Sequence, residues 1–328
     1  MQDTGPRSLE QSLEDSLEGL KKGEWIRKVA TIADAHGHFQ SCGHRHFGAF
    51  VERGDTLLVT FESMGGAQVN PDGGRPIGWD FVLDQGWSTL GLFADGDTWF
   101  RDRHVYGYFD RLIDDGFFED FEKVIFYGAG PAGYAAAAFS VAAPGARVVV
   151  LQPQATLDPR VTEWDDRFTE MRRTSFTDRY GYAPDMLDAA QAAYVLYDPS
   201  EELDAMHAAL FTRPNVTKFR MRFFGSALQG DLQKMQILAP LLEQAADDRL
   251  TTRSFAQLHR ARRDYGGFLR NMLGTLDTSD RPYLAAMLCR NVTSRMNVPR
   301  FRRRLDALEK AEAEGKVTLP PRPEDSDG

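Results

Sequence analysis

Apolar residues in the middle of the chain occur first in a continuous run and then at helical spacing. Residues 124–126 form a short apolar run of strand formers, and residues 147–151, apolar apart from Arg147, predict a second strand. Between them lie a glycine-rich turn, 128–133, and four alanines, 135–138, which favour a helix. Pro131 suits the first helical turn, where its missing N–H costs nothing. This part of the chain therefore predicts a strand, a tight turn, a helix and a second buried strand.

The flanking segments predict further elements of both kinds. Helical spacing predicts a helix from Trp25 to about Ala35, and a second helical face between Trp99 and Phe118. Two strands joined by Arg53-Gly54-Asp55 read as a hairpin. The predicted strands are His46–Glu52, Thr56–Phe61, Trp87–Phe93, Tyr194–Tyr197 and Val216–Phe224.

Strands and helices alternate through the middle of the chain, and from Leu228 onward the pattern is helical. This alternation predicts an α/β fold, with a mostly parallel sheet covered by helices on both faces. We expect four regions. These are a flexible N-terminus (1–22), an α/β domain (23–226), a helical C-terminal extension (227–315) and a disordered tail (316–328).

The composition is that of an ordinary globular protein. Of the 328 residues, 48 are acidic and 39 are Lys or Arg, so the formal net charge of −9 disfavours nucleic acid as a partner. Two cysteines argue against a disulfide framework. The acidic first 22 residues lack the apolar core of a signal peptide, and no apolar run approaches the ~20 residues that span a bilayer. We therefore expect a cytoplasmic protein with no membrane partner, which could form a homo-oligomer.

The glycine turn fits two kinds of site. Gly128, Gly130 and Gly133 match G-x-G-x-x-G between a strand and a helix, which is typical of FAD or NAD(P) sites. The residue that would hold the ribose is then Gln152, although an acid is usual there. No second dinucleotide unit follows in the sequence.

The same turn also fits a nucleophile elbow, in which G-x-S-x-G carries a serine between a strand and a helix. Gly128 is then the first small residue, and Gly130 stands at the nucleophile position. Asp198 follows a later strand, where the acid of a triad belongs. Ser226, after the last strand, stands where a histidine is expected.

These features resemble an α/β-hydrolase-like family of bacterial proteins whose elbow reads YGxSMGGYAA. The resemblance covers roughly residues 56–224 and is carried by the segments 126–136, 153–160 and 194–211. It implies an α/β-hydrolase-like fold. Of the three catalytic positions that it implies, only Asp198 keeps a catalytic residue type, because Gly130 has no hydroxyl and Ser226 is not a base.

Relatives of this kind are sometimes labelled phosphoadenosine phosphosulfate reductase. The sequence has no SGGxDS-type phosphate loop and no Glu-Cys-Gly-Leu-His tail that could supply a nucleophilic cysteine. Cys42-Gly43-His44 matches this tail only weakly and lies in the N-terminal half of the chain, whereas the tail belongs at the C-terminus. The label is therefore not supported by the motifs.

Other polar residues are candidates of lower specificity. The cluster from His36 to His46, with Cys42, has zinc-ligand chemistry, but a strand with alternating histidines gives the same pattern, and we predict no metal site. Ser63 and the glycines after it follow a strand and could line a pocket. Asp158 with Arg160 is expected to be a structural ion pair, and His207 a packed or surface histidine.

The leading hypothesis is a non-catalytic or divergent α/β-hydrolase-like protein without a cofactor, which binds an unidentified small molecule or protein. The alternative is an oxidoreductase that binds FAD or NAD(P) at the glycine turn. A third hypothesis is an enzyme that uses the acids or histidines of the pocket instead of a serine.

Overall fold

The computed structural model describes residues 8–321. An eight-stranded sheet lies at its centre. The strands are β1 Gly37–Ser41, β2 His46–Val51, β3 Thr56–Ser63, β4 Ser88–Ala94, β5 Lys123–Ala129, β6 Arg147–Leu151, β7 Ala192–Tyr197 and β8 Val216–Arg220.

Fifteen α-helices occur in this part of the chain, and none of them is long and apolar enough to cross a bilayer. They are α1 Leu9–Leu13, α2 Lys22–His36, α3 Met64–Gln68, α4 Ile77–Gln85, α5 Arg103–Asp114, α6 Pro131–Phe139, α7 Pro159–Thr162, α8 Ala183–Met186, α9 Glu202–Leu210, α10 Leu228–Lys234, α11 Leu238–Ala246, α12 Thr252–Leu258, α13 Gly266–Thr278, α14 Pro282–Arg295 and α15 Pro299–Ala313.

The strand order is β1-β2-β4-β3-β5-β6-β7-β8, with β3 to β8 mutually parallel and β1 and β2 antiparallel to their neighbours. The predicted α/β fold with a mostly parallel sheet is confirmed. The predicted hairpin is wrong, because β4 lies between β2 and β3. The short connection between β2 and β3 suggested that these two strands pair. In the structure, β3 pairs instead with β4 on one edge and β5 on the other, both in parallel. The last strand also ends at Arg220, four residues before the predicted Phe224.

Helices cover both faces of the sheet. On one face, α5 and α6 pack on alternate residues of β3, β5 and β6, in a core that includes Val59, Phe126 and Val150. Alanines 135–138 of α6 are completely buried, and their small size lets this helix approach the strands closely. On the other face, α2 packs on β1 and β2, and α4 packs on β3 and β4, around a core that includes Trp25 and Phe93. Helix α1 packs on α2 and α4, while α11 packs on β5 and β6.

The described chain divides into two compact units. The first comprises residues 8–222 and 226–259, so the boundary expected at 226 is wrong. Helix α11 belongs with the sheet because it covers β5 and β6. The second unit comprises 223–225 and 260–321 and contains α13, α14 and α15, packed around a core that includes Leu273, Cys289 and Phe301.

Both ends of the described chain differ from the expected flexible segments. Residues 8–22 carry α1, and Leu13 and Leu17 are buried against α2. Near the other end, Leu319 is buried in the core of the second unit. Burial of these apolar side chains removes them from water and stabilises the fold. This explains why both segments pack against the rest of the chain. Residues 1–7 and 322–328 lie outside the described residues.

Leu17 tests whether the N-terminal segment stabilises the first unit. Replacing Leu17 by Ala removes a side chain that is 1% exposed, and we expect the free energy of unfolding to fall by about 2–4 kcal/mol. The exposed Glu18→Ala variant is the control and should change it by less than about 0.5 kcal/mol. Urea denaturation followed by tryptophan fluorescence measures both, since all five tryptophans belong to this unit. Equal stability of the two variants would contradict the packing described here.

Candidate functional site

A cavity of about 440 Å³ opens at the carboxyl edge of the sheet, where β3, β4 and β5 end. Ligands of open α/β sheets bind at this edge because loops and helix N-termini meet there. The lining includes Glu62 and Ser63 of β3, the loop 96–100 after β4, and the start of α6 at Pro131. Helix α10 contributes Gln229, Gly230, Gln233 and Lys234. The expectation that Ser63 and the segment after it line a pocket is confirmed, and this segment forms the short helix α3.

The turn between β5 and α6 is sharp. Gly130 precedes the helix with φ 56° and ψ −124°, a combination that side-chain-bearing residues adopt only under strain. No atom outside the turn lies within 4 Å of the position that a Cβ on Gly130 would take. The site therefore has space for a side chain at Gly130, although the backbone there favours glycine.

The other two glycines of the turn are required by packing. A Cβ on Gly128 would lie 2.3 Å from the carbonyl oxygen of Ala132. A Cβ on Gly133 would lie 3.1 Å from the carbonyl oxygen of Gly128 and 3.2 Å from that of Leu151. Close strand-to-helix contact thus explains Gly128 and Gly133 without any bound phosphate.

Asp198 lies at the same edge of the sheet as the glycine turn. It directly follows β7, which is two strands from β5, a lateral separation of about 10 Å. Asp198 is buried, and its Oδ1 accepts the backbone N–H of Ser200 at 2.7 Å. Ser226 lies six residues beyond the end of β8 and is exposed. Neither residue lines the cavity described above.

Gln152 is buried in a polar network. Its side-chain amide donates to Asp204 Oδ2 at 2.7 Å, and its Oε1 accepts the backbone N–H of Leu228 at 3.3 Å. Arg167 donates to the other oxygen of Asp204, at 2.6 Å. These contacts use both ends of the Gln152 amide, so it is not available to hold a ribose.

His207 completes this network. Its Nδ1 accepts the backbone N–H of Ala155 at 3.2 Å, so the proton is on Nε2, which donates to Asp165 Oδ2 at 2.8 Å. Burial lowers the pKa of His207, although Asp165 acts against that shift. His207 is thus a packed histidine and not a surface one, the two positions that the sequence had left open. Asp158 forms the expected ion pair with Arg160, at 2.7 Å.

Glu62 is a buried acid that the sequence analysis missed. Its Oε1 accepts the Thr60 hydroxyl at 2.9 Å, and both carboxyl oxygens face the backbone N–H of Ile77, at 3.2 and 3.3 Å. Ile77 begins α4, so Glu62 satisfies a helix N-terminus. Burial raises the pKa of Glu62 to about 7, and the hydrogen bonds only partly oppose this shift. Glu62 therefore changes protonation near neutral pH while lining the cavity.

His46 contacts the cavity wall from behind. Its Nε2 lies 2.8 Å from the hydroxyl of Thr98, which lines the cavity, while Nδ1 lies 3.7 Å from Asp102 Oδ2. Burial lowers the pKa of His46 to about 4. Trp99 and Phe100, which follow Thr98, have φ of 50° and 54°, a strained backbone for bulky side chains. This backbone directs the loop along the cavity.

The remaining candidates form no reactive cluster. Within 8–321, no three His, Cys, Asp or Glu side chains are placed to hold a metal ion. His38 instead makes a hydrogen bond of 2.7 Å with the Tyr108 hydroxyl, and His36 one of 3.3 Å with Ser12. Burial raises the pKa of Cys42 to about 12, so its thiol stays protonated and a poor nucleophile at neutral pH.

The chain is similar to several proteins of known structure. No family model and no curated protein matches the sequence. Est1E from Butyrivibrio proteoclasticus is 14% identical over 63% of this chain and 97% of its own, with a TM-score of 0.40. Alpha/beta hydrolase domain-containing protein 10 from mouse is 12% identical over 64% of this chain and 98% of its own, also with a TM-score of 0.40.

Two glycine variants test the turn. We expect Gly128→Ala to lower the free energy of unfolding by more than about 3 kcal/mol, because its Cβ overlaps the backbone of α6. Gly130→Ala should cost only about 1–3 kcal/mol, from backbone strain alone. Urea denaturation measures both. A larger loss for Gly130→Ala than for Gly128→Ala would mean that the tight contact is not at Gly128.

Burial of neutral His46 makes stability depend on pH. Below pH 6.5 the unfolded chain binds a proton that the folded protein accepts only near pH 4, so stability falls as pH falls through this window. We expect His46→Gln to remove up to about 3 kcal/mol of that fall between pH 6.5 and 4. His44→Gln is the matched control, since His44 is exposed in the same segment. Urea denaturation measured between pH 6.5 and 4 gives the free energy of unfolding at each pH. An equal dependence on pH for the wild type and His46→Gln would contradict the assignment of this effect to His46.

Proposed function

We propose that this protein is a divergent α/β-hydrolase-like protein that binds a small molecule at the carboxyl edge of its sheet and does not hydrolyse esters. The observation that carries the proposal is the pair Gly130-Pro131 at the sharp turn between β5 and α6. In this interpretation Gly130 occupies the nucleophile position and supplies no hydroxyl.

Pro131 supports a second loss at the same turn. In α/β-hydrolases, the backbone N–H of the residue after the nucleophile helps to stabilise the oxyanion. Pro131 has no N–H, so this donor is missing whatever residue stands at position 130. An oxyanion-hole donor typically contributes about 10²–10³ in rate, so the loss is comparable in size to that of a general base.

The remaining triad positions support the same interpretation. Asp198 is the remnant acid, and Ser226 stands at the histidine position without being able to accept a proton at neutral pH. Ser226 is also exposed in the loop after β8. Three of the four parts of a hydrolytic site are therefore absent, namely the nucleophile, the base and one oxyanion donor.

The cavity supports binding as the retained function. Its 440 Å³ is within the size range of small-molecule sites, and its wall combines aromatic side chains with a few polar groups. We do not favour the FAD or NAD(P) alternative. Gln152 is used within the protein, and packing accounts for Gly128 and Gly133. We propose that the site works without a cofactor.

Ester hydrolysis tests the proposal. We expect no turnover of p-nitrophenyl acetate and no fluorophosphonate labelling by the wild type, by Gly130→Ser, by Ser226→His or by the two changes combined. Any gain should require Pro131→Met in addition, because only that triple variant has a hydroxyl, a base and the backbone N–H together. Turnover or stoichiometric labelling in any form that keeps Pro131 would overturn this proposal.

A further inference from the structure

We propose that the cavity binds a small organic amine in its protonated form, with Glu62 as the counter-ion. This inference rests on the proposed binding function and deepens it by naming the ligand class. The amine would bind with its ammonium group at the Glu62 carboxylate and its carbon skeleton among the aromatic side chains of the wall.

The charges of the side chains that line the cavity favour a cationic ligand. Glu62 is the only ionisable side chain in the described lining that is buried, at 6% exposure. At the rim lie exposed Asp97, from the loop after β4, and exposed Lys234, from α10. The described lining thus carries two acids and one base, and the acid that is screened least by water is Glu62.

Glu62 is also held in place for an ion pair. The Thr60 hydroxyl and the Ile77 N–H fix its carboxyl group, so a bound ammonium need not order a mobile side chain. Buried charges require a partner, and the cavity is the side from which one can arrive. Phe61, Trp99 and Phe100 line the same cavity, and aromatic faces attract cations.

The start of α6 gives little support to an anion instead. Helix N-termini bind anions through their first backbone N–H groups, but Pro131 at this terminus has none. The N-terminus of α4 is already satisfied by Glu62 itself. Lys234 remains as the only cationic side chain of the described lining, and it is exposed to solvent.

Proton linkage gives the inference a distinct signature. The groups that face Glu62 are Asp80 of α4, which is paired with Arg75, and Tyr127 of β5. Asp80 disfavours the charged form of Glu62, and burial raises the pKa of Tyr127, so neither replaces an ammonium partner. Below pH 7 a bound ammonium must displace the proton of Glu62.

The test uses benzylamine, with benzyl alcohol and benzoate as neutral and anionic probes of similar size, by isothermal titration calorimetry on the full chain. We expect benzylamine to bind more tightly than either probe at pH 8. Its affinity should fall about tenfold per pH unit below pH 7. Titration in two buffers of different ionisation enthalpy should give a release of about one proton per benzylamine at pH 6 and almost none at pH 8.5.

Variants locate the effect. Glu62→Gln should weaken benzylamine about 10- to 100-fold at pH 8 and remove the pH dependence. Asp84→Asn, an exposed acid on α4, should change neither. The proton-release measurement on the wild type stands even where Glu62→Gln folds poorly. Stronger binding of benzoate, pH-independent binding of benzylamine, or no saturable benzylamine binding at millimolar concentration would overturn the inference.

A cavity block separates this inference from the proposed function. Gly230 lies in α10 on the cavity wall, and no atom lies within 4 Å of the position that a Cβ would take there, so Gly230→Phe should occlude the cavity without backbone strain. Gly107→Phe, in similarly open space on α5, is the matched control. If Gly230→Phe loses benzyl alcohol binding and Gly107→Phe keeps it, the cavity is a small-molecule site. The proposed binding function then stands even where the preference for an amine fails.

Discussion

The close contact between β5 and the start of α6 is the constraint on which the rest of the fold depends. Gly128 lies directly against the carbonyl of Ala132, and the backbone N–H of Gly130 donates to the Leu151 carbonyl of β6 at 2.8 Å. These contacts direct α6 back across the sheet, where the fully buried alanines 135–138 pack on the strands. A helix start held this rigidly at the carboxyl edge can orient a ligand even where it carries no nucleophile.

Polar groups divide that edge of the sheet into two parts. Beside β6 and β7, Gln152, Asp204, Arg167, Asp165 and His207 satisfy one another, and Asp165 and His207 do so out of contact with water. A buried network that is satisfied internally has little affinity left for a ligand. Beside β3, β4 and β5, the side chains leave a cavity. The space where a ligand can bind is therefore displaced from Asp198 toward Glu62.

Glu62 gives this displaced site its chemistry. This carboxyl group caps α4 and lines the cavity, which combines a structural role with the ligand-binding role that we propose. Burial raises its pKa to about 7, so that both forms exist near neutral pH. His46, behind Thr98, is shifted in the opposite direction by the same cause, since burial disfavours the charged form of either group. Burial thus keeps His46 neutral at neutral pH, whereas Glu62 is present there in both its protonated and its charged form.

The local elements could be read from the sequence because their causes are local. Residues 124–151 specify strand, turn and helix through strand formers, glycines at fixed spacing and a run of alanines. The same spacing also matched a dinucleotide motif, and our preference against that motif rests on the side-chain contacts of Gln152 and the packing of Gly128 and Gly133. The pairing of β2 with β4 rather than β3 was not predictable, since pairing depends on which faces are covered by distant helices. Residues 226–259 join the sheet for the same reason, because α11 covers β5 and β6. Glu62 was missed because an acid at the end of an apolar strand reads as an exposed strand end. Its burial, its hydrogen bond to α4 and its place in the cavity exist only once β3, α4 and α10 have come together from different parts of the chain.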